Sequence, residues 1–183
     1  RPSPENVGSG VAPVGVPAAS VLADVEPETY DYASTQVNLP DEVSQQVQAL
    51  GARLIPNDVL AKDGRETQPH ISVKYGLHQR GNVAEKVRAL LSDEPPVRVT
   101  LGKTSIFPAS ESGTSDVVKI DVDSADLRRL NKKIVDALPH TDTHPGYKPH
   151  VTLAYVKAGE GKQFAGNAEL AGTEITLDRV TFS

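Results

Sequence analysis

The sequence of 183 residues contains no cysteine, no methionine and no tryptophan, and aromatic residues make up only 4% of it. The absence of cysteine excludes disulfide bonds, a thiolate nucleophile and a zinc site built on cysteine, and it fits a reducing compartment such as the cytoplasm. No apolar run approaches the roughly 18 residues that cross a bilayer, and the first residues do not resemble a signal peptide. The composition therefore predicts a soluble, cytoplasmic protein that has no membrane partner.

The first 29 residues differ in composition from the rest of the chain. They are rich in proline, glycine, alanine, valine and serine, a composition that is typical of linkers. The sequence also begins with Arg1 and lacks an initiator methionine. We therefore expect residues 1–29 to be a linker or tail, residues 30–183 to form one folded domain, and the chain to be a segment of a larger polypeptide.

The net charge of −5 is unevenly distributed along the chain. Residues 1–29 hold one basic and four acidic side chains, whereas residues 30–183 hold 18 basic and 20 acidic ones. Tight, non-specific binding of long nucleic acids requires a basic surface. A nearly neutral domain is better suited to a small nucleotide or to the end of an RNA chain.

One five-residue pattern occurs twice, at residues 69–73 and again at residues 149–153. Each copy consists of a proline, a histidine, a β-branched apolar residue, a hydroxyl residue and an apolar residue. The alternation predicts a β-strand at each copy, because successive side chains of a strand point to opposite faces. In the first strand we expect His70, Ser72 and Lys74 to share one face, while the apolar residues between them form the side that packs.

The second copy predicts the same arrangement, with His150 and Thr152 on one face. Histidine has an unperturbed pKa of about 6.5, so one of two imidazoles can be neutral while the other is protonated. One can accept a proton from an attacking hydroxyl or water, and the other can donate a proton to the leaving oxygen. The hydroxyls of Ser72 and Thr152 can donate hydrogen bonds to the non-bridging oxygens of a phosphate. This is phosphodiester chemistry that requires no metal or other cofactor.

At these residues the sequence resembles the 2H phosphoesterases, also called the LigT-like or 2′-5′ RNA ligase superfamily. The mark of that family is two copies of histidine, apolar residue, serine or threonine, apolar residue. The resemblance extends over residues 30–183 and is greatest to versions found in phage proteins. It implies that His70 and His150 are the acid–base pair and that Ser72 and Thr152 bind the phosphate. It further implies a phage-encoded protein, present in the host cytoplasm or associated with the virion.

The remaining patterns predict the other helices and strands of the domain. They are a strand at 30–39, a helix from 40 to about 50, a loop at 57–68, a helix ending at 91, a hairpin of strands at 97–107 and 117–122, a helix capped by residue 124, and a strand at 174–182. Asn82 and Glu85 are expected to form a capping pair. This order predicts an α+β fold with two pseudo-symmetric lobes of antiparallel sheet, helices outside and a central active-site groove between the motif strands. The 2H resemblance implies the same symmetry.

Two polar faces allow two interpretations each. The polar side of the strand at 30–39 either lines the substrate cleft or faces solvent. The helix after Ser124 carries basic residues on one side, which either attract phosphates or form an ordinary charged surface. These residues are Arg128, Arg129, Lys132 and Lys133.

The loop at 139–149 contains further candidates for the site. Tyr147 and Lys148 directly precede the second motif, and we expect them, together with Lys74, to contact the base or phosphate of a substrate. Solvation or packing is an equally good interpretation of Tyr147 and Lys148. Three histidines also suggest a zinc site, but a proline and a glycine at positions 145 and 146 break any helix that would align them, and we expect no metal. These histidines are His140, His144 and His150.

The resemblance implies several substrates. They are 2′,3′-cyclic phosphates, 2′-5′ linkages, cyclic phosphates of ADP-ribose and cyclic oligonucleotides that act as immune signals, and the chemistry extends to ligation. An alternative function is a non-catalytic accessory module of a phage structural polyprotein that holds RNA or a nucleotide without turning it over. The proline-rich tail and the missing methionine motivate this alternative. The intact histidine and hydroxyl residues in both motifs count against it.

Overall fold

A computed structural model describes residues 32–79, 82–142 and 146–182. The predictions for the tail at 1–29, for the start of the domain at residue 30 and for His144 lie outside these ranges.

The described residues form eight strands and four helices. In chain order these are β1 (Tyr32–Asn38), α1 (Asp41–Leu54), β2 (Leu60–Arg65), β3 (His70–His78), α2 (Val83–Leu91), β4 (Val97–Phe107), α3 (Ala109–Ser112), β5 (Ser115–Asp123), α4 (Ala125–Ala137), β6 (His150–Lys157), β7 (Glu174–Leu177) and β8 (Thr181–Phe182), with 3₁₀ turns at Asn57–Val59 and Lys162–Phe164.

The strands form a single antiparallel sheet. Their order is β7, β4, β5, β6, β3, β1, β8, and β2 pairs with a further part of β6. The two halves of the sheet join where Ile71 of β3 pairs with Val151 of β6. The predicted α+β fold of two antiparallel lobes is confirmed, and the structure adds that the two motif strands are direct neighbours at this junction.

The sheet is strongly curled, and the last two strands require this. β7 and β8 lie at opposite ends of the strand order, although only residues 178–180 separate them along the chain. Such a link spans about 14 Å at most, whereas the edges of a flat sheet of this width would lie roughly 29 Å apart. The sheet therefore closes into a half-barrel. The single strand predicted at 174–182 is wrong, because this segment forms two short strands that pair with β4 and β1.

The helices cover the apolar face of the sheet. α1 lies against β2 and β6, and α4 lies against β3 and β4. α4 buries Leu127, Leu130 and Ile134, as their spacing predicts, and Asn131 Nδ2 donates a hydrogen bond of 2.7 Å to the carbonyl of Val73. Polar side chains of the strands are therefore gathered on the other face. None of the helices in the described ranges is both long and apolar enough to cross a membrane.

The loop predicted at 57–68 is wrong, because it contains a 3₁₀ turn and all of β2. β2 pairs with β6 through Leu60 opposite Val156 and Arg65 opposite Ala154. The Arg65 guanidinium also donates a hydrogen bond of 2.6 Å to Asn57 Oδ1. Because this edge strand is held by main-chain and side-chain hydrogen bonds and is mostly accessible, it needs no apolar alternation that a sequence would reveal.

Basic residues of α4 form ion pairs on the surface of the protein. Arg129 forms ion pairs with Glu94 and Asp126, and Lys133 also pairs with Glu94. The hydrogen bond from Arg129 is the largest cause that holds the pKa of Glu94 below its usual value. These cations are already neutralised by neighbouring carboxylates, which favours the surface interpretation over phosphate binding.

Replacing Ser124 with alanine should destabilise the fold. Its Oγ accepts a hydrogen bond from the backbone N–H of Leu127 at 3.1 Å and donates one to the carbonyl of Arg98 at 2.6 Å, and the loss of such a cap costs about 1 kcal/mol. Asn82 precedes α2 in the same way but makes no capping hydrogen bond, which contradicts the predicted capping pair. Asn82→Ala should therefore change the free energy of unfolding by less than about 0.5 kcal/mol. Urea unfolding measures both, and equal losses would contradict this assignment.

Candidate active site

The pairing of Ile71 with Val151 determines where the two motifs lie. Both side chains are fully buried in the core, at 0% exposure. Their neighbours in sequence must therefore project from the opposite face of the sheet. Extending the antiparallel register by one residue places each motif histidine opposite the hydroxyl residue of the other motif: His70 opposite Thr152, and His150 opposite Ser72. The two half-sites are thus related by a local twofold axis through the Ile71–Val151 pair.

Both imidazole rings are anchored in the same way. His70 Nδ1 lies 2.8 Å from the carbonyl oxygen of Gln68, and His150 Nδ1 lies 2.7 Å from that of Lys148. In each case the acceptor is two residues earlier, and the intervening proline has a fixed φ that limits where this carbonyl lies. A carbonyl only accepts hydrogen bonds, so Nδ1 carries the hydrogen and Nε2 is the ring nitrogen that can accept a proton.

The two motif hydroxyls are buried and unsatisfied. Ser72 Oγ and Thr152 Oγ1 are shielded from solvent and make no hydrogen bond within the described part of the chain. A buried polar atom of this kind costs about 1–3 kcal/mol, and most such atoms in folded proteins have a partner. Two unsatisfied hydroxyls beside two imidazoles suit a ligand that offers acceptor oxygens, as a phosphate does.

The second half-site contains charged residues that the sequence did not single out. Lys119 of β5 lies opposite Thr152, and its Nζ donates hydrogen bonds to Ser105 Oγ at 2.6 Å and to Asp121 Oδ1 at 2.7 Å. Burial raises the pKa of Asp121, but hydrogen bonds from Lys119 and Ser105 outweigh burial and leave this pKa below its usual value. The second motif is therefore flanked by a buried cation and its carboxylate partner.

An aromatic ring links this cation to the second histidine. The rings of Phe107 and His150 meet edge to face, with centroids 4.9 Å apart. Lys119 Nζ lies 4.5 Å from the centroid of the same phenylalanine ring. Sequence alternation alone places Phe107 and Lys119 on strands of the predicted hairpin, but their proximity to the motif depends on cross-strand register, which the sequence does not reveal.

The first half-site is flanked by neutral amides of β1. Gln36 lies opposite Ser72, and Asn38 lies opposite His70. Gln36 Nε2 donates a hydrogen bond of 2.9 Å to Asn38 Oδ1, while Gln36 Oε1 is buried and has no hydrogen-bond partner in the described ranges. Ser34 and Gln36 are 1% and 5% exposed, so the solvent-facing interpretation is wrong for these two residues. That this face of β1 lines the substrate cleft stays a prediction.

A buried carboxylate lies behind the first histidine. Glu66 follows β2, and its backbone N–H donates to the carbonyl of Leu153 in β6 at 2.9 Å. Glu66 Oε1 is 3.5 Å from His70 Nδ1, and both side chains are almost inaccessible to solvent. The two half-sites are thus similar in their motifs and different in their surroundings. A buried carboxylate lies beside His70, whereas the second motif has Lys119 opposite Thr152 and the more exposed Asp121 opposite His150.

Each motif strand carries a β-bulge directly after its hydroxyl residue. In β3 the register against β1 skips Val73, and in β6 the register against β5 skips Leu153. The alternation of side chains is therefore interrupted at matching points of the two strands. As a result Lys74 does not continue the row of motif side chains, as alternation predicted, and its Nζ pairs with Asp142 Oδ1 at 2.8 Å.

Tyr147 connects the loop before β6 to the first motif strand. Its hydroxyl donates a hydrogen bond of 2.8 Å to the carbonyl of Ser72, and burial raises the pKa of this hydroxyl above its usual value. Lys148 is exposed and contributes its carbonyl to the contact with His150. The packing interpretation therefore accounts for Tyr147, while a contact of either side chain with a substrate stays a prediction.

A third proline–histidine pair has the same ring contact in a different place. His140 Nδ1 is 2.9 Å from the carbonyl of Leu138. His140 pairs with Leu77, which is fully buried, so its side chain lies on the core side of the sheet rather than with the motifs. Its Nε2 is 3.5 Å from Asp142 Oδ1. In the described ranges no three histidine, aspartate or glutamate side chains are grouped as metal ligands.

A cavity of about 290 Å³ lies away from these residues. It is bounded by α2, α4 and the link between β7 and β8, and its walls include Val87, Leu91, Leu130 and Val180. None of the motif residues contributes to it. Its lining combines aliphatic side chains with charged ones such as Arg88, Glu94 and Arg179 and holds no histidine, so this cavity is separate from the candidate site.

Comparisons with known proteins bear on the family and the fold. The family described as the 2′-5′ RNA ligase superfamily matches residues 39–182, while a comparison with curated proteins gave no match. A crystal structure described as a phosphoesterase has a TM-score of 0.58 at 18% identity, with 82% of this chain and 86% of that chain covered. A protein of Thermus thermophilus has a TM-score of 0.58 at 19% identity, with coverages of 83% and 87%.

The Usb1 protein of Kluyveromyces marxianus has a TM-score of 0.62 at 11% identity, and the similarity covers 86% of this chain and 95% of that protein. At such identities the likeness of these solved structures shows a shared fold.

Replacing Tyr147 with phenylalanine should change how stability depends on pH. Near pH 7 the variant loses the hydrogen bond to Ser72, which is worth about 1 kcal/mol. Above pH 10 the tyrosine ionises in the unfolded chain but keeps its proton in the folded one, because its folded pKa is raised. The free energy of unfolding of the unmodified protein then falls by about 1.4 kcal/mol per pH unit because of this group, and that of the variant does not. Urea unfolding from pH 7 to pH 11 should show the difference between the two proteins shrinking, and a constant difference would contradict a buried, protonated hydroxyl.

Proposed function

The chain belongs to the 2′-5′ RNA ligase superfamily of 2H phosphoesterases, and we propose that it is a metal-independent phosphodiesterase acting on a nucleotide or on the end of an RNA chain. One observation carries this proposal. The Ile71–Val151 pair gathers two Nδ1-anchored imidazoles and two unsatisfied buried hydroxyls on one face of the sheet. The description of one similar structure as a phosphoesterase supports the same class of reaction.

Hydrolysis of a 2′,3′-cyclic phosphate uses each motif residue once. One histidine accepts through Nε2 the proton of a water molecule as the water oxygen bonds to phosphorus. The phosphorus–oxygen bond to one ribose oxygen breaks, and the other histidine donates its Nε2 proton to that oxygen. The product is a single molecule, a nucleoside 2′- or 3′-monophosphate whose other ribose oxygen is now a free hydroxyl, and each proton transfer contributes about 10² to 10⁴ in rate.

The hydroxyls act on the charge that develops during this step. As water adds to phosphorus, negative charge increases on the two non-bridging oxygens. Ser72 and Thr152 each donate one hydrogen bond to these oxygens, which replaces the partner that each hydroxyl lacks in the protein. Donors that are already in position need no reorganisation when the charge develops, and this is why such hydrogen bonds lower the barrier.

The same four side chains also suit a linear 2′-5′ linkage or a cyclic oligonucleotide. A ribose hydroxyl next to the scissile phosphate then attacks in place of water, and the departing ribose oxygen takes the proton from the second histidine. The product is a cyclic phosphate, and the reverse of this step joins two ends. We propose that the protein is phage-encoded and acts in the cytoplasm. The cysteine-free composition and the resemblance to phage versions support this.

Replacing either motif histidine should abolish turnover. We expect His70→Ala and His150→Ala each to lower kcat/KM by about 100-fold or more. The assay is a panel of 2′,3′-cyclic nucleotides, 2′-5′ dinucleotides and cyclic dinucleotides, each incubated with the protein in EDTA. His140→Ala is the matched control, because this ring has the same carbonyl contact but lies on the core side of the sheet, and it should keep its activity.

Three results would count against this proposal. Activity that EDTA abolishes would contradict the metal-independent mechanism. Activity that survives in both motif variants would place the chemistry elsewhere. Binding of these compounds without turnover of any of them would support the non-catalytic accessory module instead.

Replacing Thr152 with valine should make the protein more stable and less active. Removing an unsatisfied buried hydroxyl raises the free energy of unfolding by about 1 kcal/mol, while loss of a transition-state donor lowers kcat/KM by about 100-fold. Thr104→Val is the control, because this buried hydroxyl donates to the carbonyl of Phe164 at 2.6 Å and accepts from the N–H of Asn167 at 2.8 Å. The control should lose about 1–2 kcal/mol of stability with little change in kcat/KM. Stability changes of the same sign in the two variants would contradict the distinction.

A further inference from the structure

We propose that Lys119 is a further ligand of the substrate phosphate, placed beside Thr152 and acting on one side of the site only. This inference rests on the proposed phosphodiesterase function and adds a cation to it. Four observations support it: the register of β5, the burial of the ammonium group, its hydrogen bonds, and the different residue at the equivalent position of the other half-site.

The register places the lysine directly beside the second motif. Lys119 is the Cα partner of Thr152 across β5 and β6, and opposite residues of an antiparallel pair extend from the same face with Cβ atoms about 5 Å apart. The lysine side chain therefore begins next to the hydroxyl that is expected to bind the phosphate. Phe107 contacts both the ammonium group and the ring of His150, which keeps the cation near the reacting centre.

The ammonium group is buried and can donate one more hydrogen bond. Lys119 is only 5% exposed, and a buried cation requires compensation by nearby acceptors. Ser105 Oγ and Asp121 Oδ1 take two hydrogen bonds from Nζ. An ammonium group has three N–H donors, so a phosphate oxygen can be added without breaking either existing contact.

The other half-site does not contain a corresponding charge. The residue opposite Ser72 is Gln36, a neutral amide, whereas the residue opposite Thr152 is Lys119. The local twofold axis that relates the motifs thus does not relate their cross-strand partners. A phosphate that enters between the motifs is drawn toward the Thr152 side, and its non-bridging oxygen on that side receives the ammonium group in addition to the hydroxyl.

A charge-removal experiment distinguishes this role from a structural one. Lys119→Met keeps the length of the side chain and removes the cation, and Asp121→Asn removes the neighbouring carboxylate charge. The probe is inorganic phosphate, titrated by calorimetry in EDTA, with urea unfolding of each variant in parallel. We expect Lys119→Met to weaken phosphate binding by about 10-fold or more. Asp121→Asn should leave binding unchanged or tighten it, because the ammonium group then has one negatively charged neighbour fewer.

The double variant and a charge-conserving variant complete the design. If Lys119 binds phosphate, the double variant Lys119→Met, Asp121→Asn binds as weakly as Lys119→Met alone, and Lys119→Arg retains most of the affinity. If Lys119 only neutralises Asp121, both single variants lose stability and affinity together, and the double variant recovers both. Recovery in the double variant, or unchanged phosphate binding by Lys119→Met, would overturn the proposal.

The outcome is separable from that of the phosphodiesterase proposal. Phosphate binding does not require turnover, so His70→Ala can be titrated in the same way and should still lose affinity when Lys119→Met is added. Loss of phosphate affinity in Lys119→Met without turnover of any nucleotide would leave the binding role intact and refute the catalytic one. Turnover by a protein whose phosphate affinity is insensitive to Lys119 would refute the binding role of Lys119 and leave the phosphodiesterase proposal intact.

Discussion

The burial of Ile71 and Val151 against the helix-covered core is the constraint on which the site depends. This pair is where β3 and β6 join the two halves of the sheet. Because side chains alternate along a strand, two fully buried residues at the crossing force both motif histidines and both motif hydroxyls onto the opposite face. A slip of the register by one residue would exchange the two faces, so the core that stabilises the fold also fixes the orientation of the reactive groups.

The local symmetry extends to the backbone and ends at the neighbouring strands. Both motif strands place a bulge directly after the hydroxyl residue, and both rings contact a carbonyl two residues earlier. The flanking residues differ, because β1 offers Gln36 where β5 offers Lys119, and Glu66 approaches His70 alone. Equivalent motifs in unequal surroundings allow two chemically identical histidines to take different parts in one reaction.

Local patterns in the sequence were sufficient to predict the two motif strands but not the residues that flank them in the folded protein. The repeated pentapeptide and the spacing of apolar residues in α4 are short-range signals, and the structure confirms the strands and the helix that they predicted. Lys119 and Gln36 reach the site only through cross-strand register, which depends on contacts between distant parts of the chain. The bulge at Val73 was equally invisible, and it is the reason why simple alternation misplaced Lys74. β2 was missed because an edge strand held by hydrogen bonds needs no apolar pattern.

One face of the sheet stabilises the fold, and the other face carries the groups that are proposed to react. The helix-covered face buries aliphatic side chains such as Ile71 and Val151, and each such side chain contributes about 1.5–3 kcal/mol. The other face holds unsatisfied hydroxyls and a buried ammonium group, whose burial opposes folding. A fold that retains these unfavourable groups together at one crossing is less stable than the same fold with apolar groups there. Their accumulation at the point where the motifs meet is what we expect of a binding site, since a phosphate would offer acceptor oxygens to both hydroxyls and to the remaining N–H of the ammonium group.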